Sequence, residues 1–365
     1  MQVVHLISSG GFYGAERVLY DHCRHVPADH RVIFLDTTAP LQARFRDGGI
    51  EQHHCQGLPA LLQQLRQLKQ QSRPLVLVSH NFKAQMLGTA AATLLRLPLI
   101  VTQHGFTPTS SKQRLYRRLS LALCHWPQVR AVACVSSLLA KQHRQWRIAA
   151  SKLHVMTNAL PASEPQSSKH GVSSVSRGSL RLGYAGRLSH EKGPDLLLQA
   201  LPQLMLRFPQ LQVDLVGDGP LRATLEEELS QLQWGNRVTL SGYQENIADW
   251  LLGLDLLVMP SRTEGTPMIL LEAMQAGCPV VAFAVGGIPD VLNQDSGWLV
   301  PAEDVQALGA ALISALTDDA ARQQKALKAQ ARQQQHYCLS VQGPRWQQLY
   351  ADVAGLSSTL KAQLP

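Results

Sequence analysis

The sequence predicts an α/β protein built from two doubly wound, Rossmann-like domains that face each other across a cleft. Short β-branched or apolar runs alternate with longer helical patterns, as in parallel α/β layers. A Ser- and Pro-rich stretch, PASEPQSSKHGVSSVSRGS, interrupts this alternation, which then restarts. A chain of 365 residues is also long enough to bury two cores.

The first domain is predicted to span residues 1–165. Its apolar runs end at polar or glycine-rich turns, where doubly wound sheets bind their ligands. With helices between them, strands are expected at residues 3–8, 32–35, 76–79, 99–102 and 131–135. The run HHC at residues 53–55 is interpreted as a surface loop rather than a metal site, and no metal site is expected elsewhere.

The second domain is predicted to span residues 180–340, after a linker at 166–179. Each of its strands ends at a turn that leads into a helix, in the segments LRLGYAGRL, LQVDLVGDG, RVTLSGY, DLLVMPS and PVVAFAVGG. A last helix, at about residues 343–358, carries Trp346, Leu349, Tyr350 and Val353 on one face. That helix is a candidate to pack back on the first domain.

Charge and composition limit the classes of partner. Up to residue 170 the chain has 20 Lys and Arg against 7 Asp and Glu, giving +13, whereas the remainder has 14 against 19, giving −5. The first half is therefore expected to meet an anionic partner. Nucleic acid is not expected, because no aromatic-interleaved basic motif is present. The six scattered cysteines, the lack of a secretory leader and the absence of an apolar run near ~20 residues favour a cytoplasmic protein.

The first glycine turn lies in VVHLISSGGFYGAE and resembles part of a dinucleotide fingerprint. Gly11 and Gly14 are in register, and Asp36 follows at the distance of a ribose-binding acid. Ser9, however, stands where that fingerprint requires its first glycine, so a nicotinamide site is the weaker hypothesis. A glycine turn before a helix still suits a phosphate or a closely approaching sugar.

Two cations follow the first strand of the second domain, in GYAGRLSHEKG. Arg187 and Lys192 lie five residues apart and are flanked by Gly186 and Gly193. Cations at the carboxyl edge of a parallel sheet favour a diphosphate ligand.

The segment SRTEGTPMILLEAMQAG places two carboxylates, Glu264 and Glu272, in a largely apolar run. Thr266 and Pro267 are expected to be the N-cap and first residue of a helix at about 267–275. Because burying an unpaired carboxylate is costly, these groups are expected to receive hydroxyl donors from a ligand. A nucleotide sugar fits, since it offers a diphosphate, a ribose diol and hexose hydroxyls. The candidate donor-binding residues of this segment are Glu264, Gly265, Thr266, Pro267, Met268, Ile269 and Glu272.

Together these motifs resemble the family 4, or group 1, glycosyltransferases of GT-B architecture. The likeness rests on GRLSHEKG, VGDGPL, the Glu-x7-Glu stretch, GWLVPAED, GGFYGAERVL, TQHGF and CVSSLLAKQ. It implies a retaining, metal-independent enzyme without cofactor that moves a hexose-type sugar from a nucleoside-diphosphate sugar to a glycan or lipid-linked acceptor. Cell-surface polysaccharide or lipopolysaccharide synthesis is the implied setting.

The resemblance also implies residue roles. Arg187 and Lys192 would hold the diphosphate, Glu264 would contact the transferring sugar, and Glu272 would contact the ribose. His104, in TQHGF, would face the reacting centre, and Gly11 would let its loop approach the donor. His80, at the end of VLVSH, is a further candidate whose role is left open between function and structure.

A basic helix is predicted within residues 110–126, on the acceptor side. Its cations are Lys112, Arg114, Arg117 and Arg118, interleaved with Leu115, Tyr116 and Leu119. They favour peripheral contact with an anionic inner-membrane surface, although an ordinary solvated helix face has the same pattern. The sequence also leaves open a sugar-nucleotide 2-epimerase and a non-catalytic nucleotide-binding module. It does not identify the donor base, the sugar or the acceptor.

Overall fold

The computed structural model describes residues 1–71, 73–105, 111–162, 179–232 and 234–356. The chain divides into two compact units, the first formed by Met1–Pro161 together with the segment from Cys338, and the second by Ala162–Tyr337. Each unit contains one parallel sheet with helices, which confirms the predicted α/β class. Most of the predicted linker, residues 166–178, lies outside the described residues.

The first unit has a seven-stranded parallel sheet in the order β3-β2-β1-β4-β5-β6-β7. Its strands are β1 Gln2–Ser8, β2 Asp29–Asp36, β3 Glu51–His54, β4 Leu75–Ser79, β5 Leu99–Gln103, β6 Val129–Cys134 and β7 Leu153–Val155. The prediction of a surface loop at residues 53–55 is wrong, because His53 and His54 belong to edge strand β3, which pairs with β2. The sequence of this strand, EQHH, is entirely polar and lacks the apolar residues from which a strand is usually predicted.

The helices of the first unit cover this sheet. They are α1 Gly14–His25, α2 Ala39–Asp47, α3 Gly57–Lys69, α4 Phe82–Leu95, α5 Ser111–Leu123, α6 Ser137–Gln145 and a C-terminal helix, Leu339–Val353. The C-terminal helix buries Leu349 and Tyr350 in a cluster with Val3 and Val76. It spans Leu339–Val353 rather than the predicted 343–358, so it begins and ends earlier than expected, and Pro344 lies inside it.

The second unit has a six-stranded parallel sheet in the order β10-β9-β8-β11-β12-β13. Its strands are β8 Arg181–Ala185, β9 Gln212–Val216, β10 Val238–Gly242, β11 Leu256–Met259, β12 Val280–Phe283 and β13 Trp298–Val300. Its helices are α7 Pro194–Arg207, α8 Arg222–Gln231, α9 Ile247–Leu252, α10 Met268–Ala276, α11 Ile288–Val291, α12 Val305–Thr317 and α13 Asp319–His336.

Both strand orders reverse at one point, between β1 and β4 in the first unit and between β8 and β11 in the second. Doubly wound sheets bind ligands at the carboxyl ends of the strands beside such a switch point. Over the described part of the chain, no helix is both long and apolar enough to cross a bilayer.

Candidate active site

The loops that follow β8 and β11 meet at the switch point of the second sheet. Gly193 ends the β8 loop with φ +66°, and a Cβ there would lie 2.0 Å from the carbonyl oxygen of Pro260. Only glycine allows so close an approach. The flanking glycine noted in the sequence therefore brings the Lys192 loop against the loop that carries Glu264.

An ion pair joins these two loops. Lys192 Nζ lies 2.6 Å from Glu264 Oε1, and Ser261 Oγ donates a hydrogen bond of 2.8 Å to the same oxygen. The Glu264 side chain is only 6% exposed, against 31% for Lys192. The sequence predicted that ligand hydroxyls alone would satisfy this carboxylate. That prediction is wrong, because the protein itself supplies a cation and a hydroxyl.

Arg262 fixes the loop around Glu264 and was missed in the sequence. Its guanidinium donates two hydrogen bonds to the Asp195 carboxylate, at 2.9 and 2.6 Å, and a third to the carbonyl oxygen of His190, at 2.7 Å. Burial is the largest single influence on the Asp195 carboxyl and raises its pKa, but the hydrogen bonds and positive charge of Arg262, with smaller contributions from the backbone and His190, together lower that pKa below its ordinary value. Asp195 and Arg262 are 67 residues apart, so no local pattern links them.

A second glycine holds the Glu264 loop from the side of β12. Gly286 has φ +58°, and a Cβ there would lie 1.8 Å from the carbonyl oxygen of Glu264. The neighbouring amide, Gly287 N, donates a 2.9 Å hydrogen bond to the carbonyl oxygen of Gly265. These two contacts fix the backbone at Glu264 and at Gly265, the residue that follows it.

Helix α10 begins one residue later than expected. Pro267 is the N-cap, with extended backbone angles, and Met268 is the first helical residue. The prediction of Thr266 as N-cap is therefore wrong; Thr266 is instead 4% exposed in the preceding turn. Because the first N–H groups of a helix have no intrahelical acceptor, those of Met268 and Ile269 suit an anion. Glu272 lies in the second turn of α10, and its Oε1 is buried.

Arg187 lies in the loop after β8 and is exposed. Its carbonyl oxygen accepts a hydrogen bond of 3.0 Å from the Tyr184 hydroxyl, which fixes the backbone beneath the guanidinium. Among the described residues, no acidic side chain lies within ion-pairing distance of Arg187. This loop, which also contains Gly186, therefore presents a cation to solvent.

In the first unit, His80 and His104 directly follow the neighbouring strands β4 and β5. Their Nδ1 and Nε2 atoms, respectively, are 3.4 Å apart. Burial lowers the pKa of both imidazoles, which favours neutral rings at pH 7. Gly11 lies in the turn after β1, where the nearest neighbour of an added Cβ would be the exposed Tyr13 ring, at 2.9 Å. The local backbone therefore does not demand glycine at position 11.

The basic helix predicted near residues 110–126 is α5. Lys112, Arg114 and Arg118 are exposed on it, beside Leu115 and Leu119, which are 54% and 44% exposed. Two members of the predicted set point elsewhere. Tyr116 stacks on Phe82, with 4.8 Å between ring centroids, and Arg117 donates a hydrogen bond to Gln142. The open basic and apolar face is therefore narrower than expected.

Known proteins share this organisation. Residues 168–334 match the family model described as glycosyl transferases group 1, and residues 12–164 match Glycosyltransferase Family 4. The 2-deoxystreptamine glucosyltransferase of Streptomyces kanamyceticus is 27% identical over 334 residues, which are 85% of this chain and 84% of the relative. An Escherichia coli UDP-Gal:alpha-D-GlcNAc-diphosphoundecaprenol alpha-1,3-galactosyltransferase is 26% identical over 260 residues, 66% of each chain.

Solved structures show the same fold. The crystal structure of Anabaena Alr3699/HepE in complex with UDP aligns with a TM-score of 0.84 at 21% identity, covering 96% of this chain and 100% of the other. The two family models together span both units, and the family resemblance of the motifs is confirmed. The chain belongs to the family 4, group 1 glycosyltransferases of GT-B architecture.

Proposed function

We propose that this glycosyltransferase moves a hexose-type sugar from a nucleoside-diphosphate sugar to a glycan or lipid-linked acceptor, with retention of configuration and without a metal ion. The observation that carries the proposal is the buried Glu264 carboxylate paired with Lys192 at the switch point of the second sheet. Arg187 and the first turn of α10 supply further positive charge at the carboxyl edge of that sheet.

The ion pair supports a change of partner when the donor binds. A diphosphate offers Lys192 more negative charge than one carboxylate, so the ammonium turns toward the phosphates together with Arg187. Glu264, still held by Ser261, then has lone pairs for a hydroxyl of the transferring sugar. Glu272 accepts from the ribose diol.

The same cations stabilise the leaving group. As the bond between the anomeric carbon and the phosphate oxygen breaks, negative charge grows on the departing diphosphate beside Arg187 and Lys192. The acceptor oxygen forms its bond to the anomeric carbon on the face that the diphosphate leaves. The acceptor proton passes to the departing phosphate oxygen. In this scheme the two cations stabilise the leaving-group charge that a metal ion stabilises in other transferases. His104, in the first unit, contacts a sugar hydroxyl.

The acceptor is proposed to be lipid-linked or part of a surface polysaccharide or lipopolysaccharide. The named substrate of the E. coli relative is a diphosphoundecaprenol glycolipid. The exposed face of α5, with Lys112, Arg114 and Arg118 beside two exposed leucines, suits the anionic surface in which such an acceptor resides.

A transfer assay tests the proposal. The full chain is incubated with a panel of nucleotide sugars, with glycan and lipid-linked acceptors, and with or without saturating EDTA. Release of nucleoside diphosphate in step with a glycosylated product, unchanged by EDTA, is expected, and NMR of the product should show the donor's anomeric configuration. An isomerised nucleotide sugar formed without acceptor would identify an epimerase. Donor left intact with every acceptor would favour a binding module.

A further inference from the structure

Four imidazoles form a hydrogen-bonded chain across neighbouring strands of the first sheet. His104 Nε2 lies 3.4 Å from His80 Nδ1, His80 Nε2 lies 3.0 Å from His5 Nδ1, and His5 Nε2 lies 3.0 Å from His30 Nδ1. This histidine chain ends at His30, whose Nε2 lies 2.8 Å from the carbonyl oxygen of Val26. His30, His5, His80 and His104 lie on or directly after β2, β1, β4 and β5, which are adjacent in the sheet.

Three of the four rings, those of His80, His5 and His30, are buried. His5, His80 and His30 are 1%, 9% and 8% exposed. Burial, and then the neighbouring imidazoles, lower the pKa of His5 well below its ordinary value, and burial lowers that of His30 to about 4. Each ring is therefore neutral at pH 7, with one N–H group and one lone pair.

The carbonyl at one end fixes the direction of every hydrogen bond. A carbonyl oxygen can only accept, so His30 Nε2 carries the proton and His30 Nδ1 offers its lone pair to His5 Nε2–H. The same argument makes His5 Nδ1 accept from His80 Nε2–H and His80 Nδ1 accept from His104 Nε2–H. The lone pair of His104 is then on Nδ1, for which no described residue is a hydrogen-bond partner.

We propose that His80, His5 and His30 are positioning residues that hold His104 in the Nε2–H tautomer, so that its Nδ1 accepts a hydrogen bond from a hydroxyl of the sugar substrate. His104 is then an acceptor in the reaction and not a general acid. The substrate contact rests on the proposed function, whereas the tautomer does not depend on it.

A metal ion is the main competitor for the same atoms. Ligand atoms of Cys23, His5 and His30 lie within 4.8 Å of one another. A metal would need the lone pairs of both imidazoles and a thiolate. His5 and His30 instead face each other at hydrogen-bonding distance, and burial raises the pKa of the Cys23 thiol far above neutrality. A bound metal and the histidine chain therefore exclude each other.

The tautomer is measured directly by NMR of the full chain labelled with 15N at histidine, between pH 6 and 8 and without ligand. Signals are assigned by single replacement of each histidine with asparagine. We expect His5, His30, His80 and His104 to show a protonated Nε2, an unprotonated Nδ1 and no titration. An Nδ1–H form of His104, a charged ring at pH 7, or one equivalent of zinc retained through purification would each overturn the proposal.

Two variants of His80 separate positioning from mere packing. In His80→Asn an amide oxygen replaces Nδ1 and can still accept from His104, whereas His80→Phe fills the space without an acceptor. We expect His80→Phe to show a mixture of His104 tautomers and at least a tenfold loss of kcat/KM, with unchanged affinity for nucleoside diphosphate. His80→Asn should keep the tautomer and most of the activity.

Equal activity of the two His80 variants, or equal loss in both with an unchanged His104 spectrum, would overturn the positioning role. If His80→Phe does not fold, the wild-type spectrum and His80→Asn still decide the tautomer. If the wild type transfers no sugar to any acceptor, the proposed function fails, while the spectra still test the histidine chain.

Discussion

The close contact between Gly286 and the Glu264 loop predicts a large effect for a single added methyl group. In Gly286→Ala the new Cβ would lie 1.8 Å from the carbonyl oxygen of Glu264, where real Cβ atoms essentially never approach within 3.0 Å. The loop must therefore retreat by at least 1.2 Å, the difference between those distances. Gly235 is the matched control, because it has φ +56° and no heavy atom within 4 Å of its added Cβ.

The two substitutions share one cost and differ in another. Placing alanine in the left-handed region costs ~1 kcal/mol at either position. At position 286 the retreat also breaks the hydrogen bond from Gly287 to Gly265, at ~1 kcal/mol, and disturbs the pair between Lys192 and Glu264, at ~1 kcal/mol or more. We expect Gly286→Ala to lose about 3 kcal/mol of unfolding free energy and Gly235→Ala about 1 kcal/mol.

Urea unfolding of both variants measures this difference, and the transfer assay measures its effect on the site. Gly286→Ala should also lose sugar transfer by at least tenfold under conditions where it is fully folded, whereas Gly235→Ala should retain it. Equal stability losses in the two variants, or full transfer by folded Gly286→Ala, would refute the argument that this glycine sets the position of Glu264.

Three further predictions concern charge. In calorimetry, Glu272→Gln should weaken the binding of nucleoside diphosphate and of the donor by a similar factor. Glu264→Gln should leave the affinity for nucleoside diphosphate unchanged, because it frees Lys192. Equal losses of diphosphate affinity in the two variants would contradict these roles. Burial lowers the pKa of His30 to about 4, so the free energy of unfolding should be greatest above pH ~6.5. Between pH ~6.5 and pH 4 this residue should lower that free energy by up to ~3 kcal/mol, because the unfolded state takes up the proton first. Equal urea midpoints at pH 7 and pH 5 would contradict this. The protein should co-sediment with anionic liposomes at low salt and less so after Arg114→Ser with Arg118→Ser; no sedimentation at low salt would favour a soluble acceptor.

Local patterns in the sequence were enough to predict the class of fold and the loops of the candidate site. Glycines around Lys192 and the apolar run around Glu264 are signals within about ten residues, and the structure places both loops at one switch point. The start of α10 was misplaced by one residue, because proline is compatible with both the N-cap and the first helical position.

The contacts that hold the site were not predictable, because they join distant segments. Arg262 and Asp195 are hydrogen-bonded although 67 residues separate them in the sequence, and His5 and His80 are hydrogen-bonded across 75 residues. A lone histidine in an apolar strand is usually a satisfied core residue, and only the order of the strands shows that four of them form a chain. The pairing of Glu264 with Lys192 likewise required the packed loops.

Arg187 and Lys192 are proposed to bind the diphosphate of a nucleotide donor. Isothermal titration calorimetry of nucleoside diphosphates in EDTA, with wild type, Arg187→Met and Arg207→Met, measures this binding. Arg207 is the matched control, since it is exposed at the far end of α7, roughly 20 Å along the helix axis from the Lys192 loop. We predict one site for at least one nucleoside diphosphate, at least tenfold weaker binding in Arg187→Met and unchanged binding in Arg207→Met. Failure of the wild type to bind any nucleoside diphosphate, or equal losses of affinity in the two variants, would show that Arg187 does not hold the diphosphate.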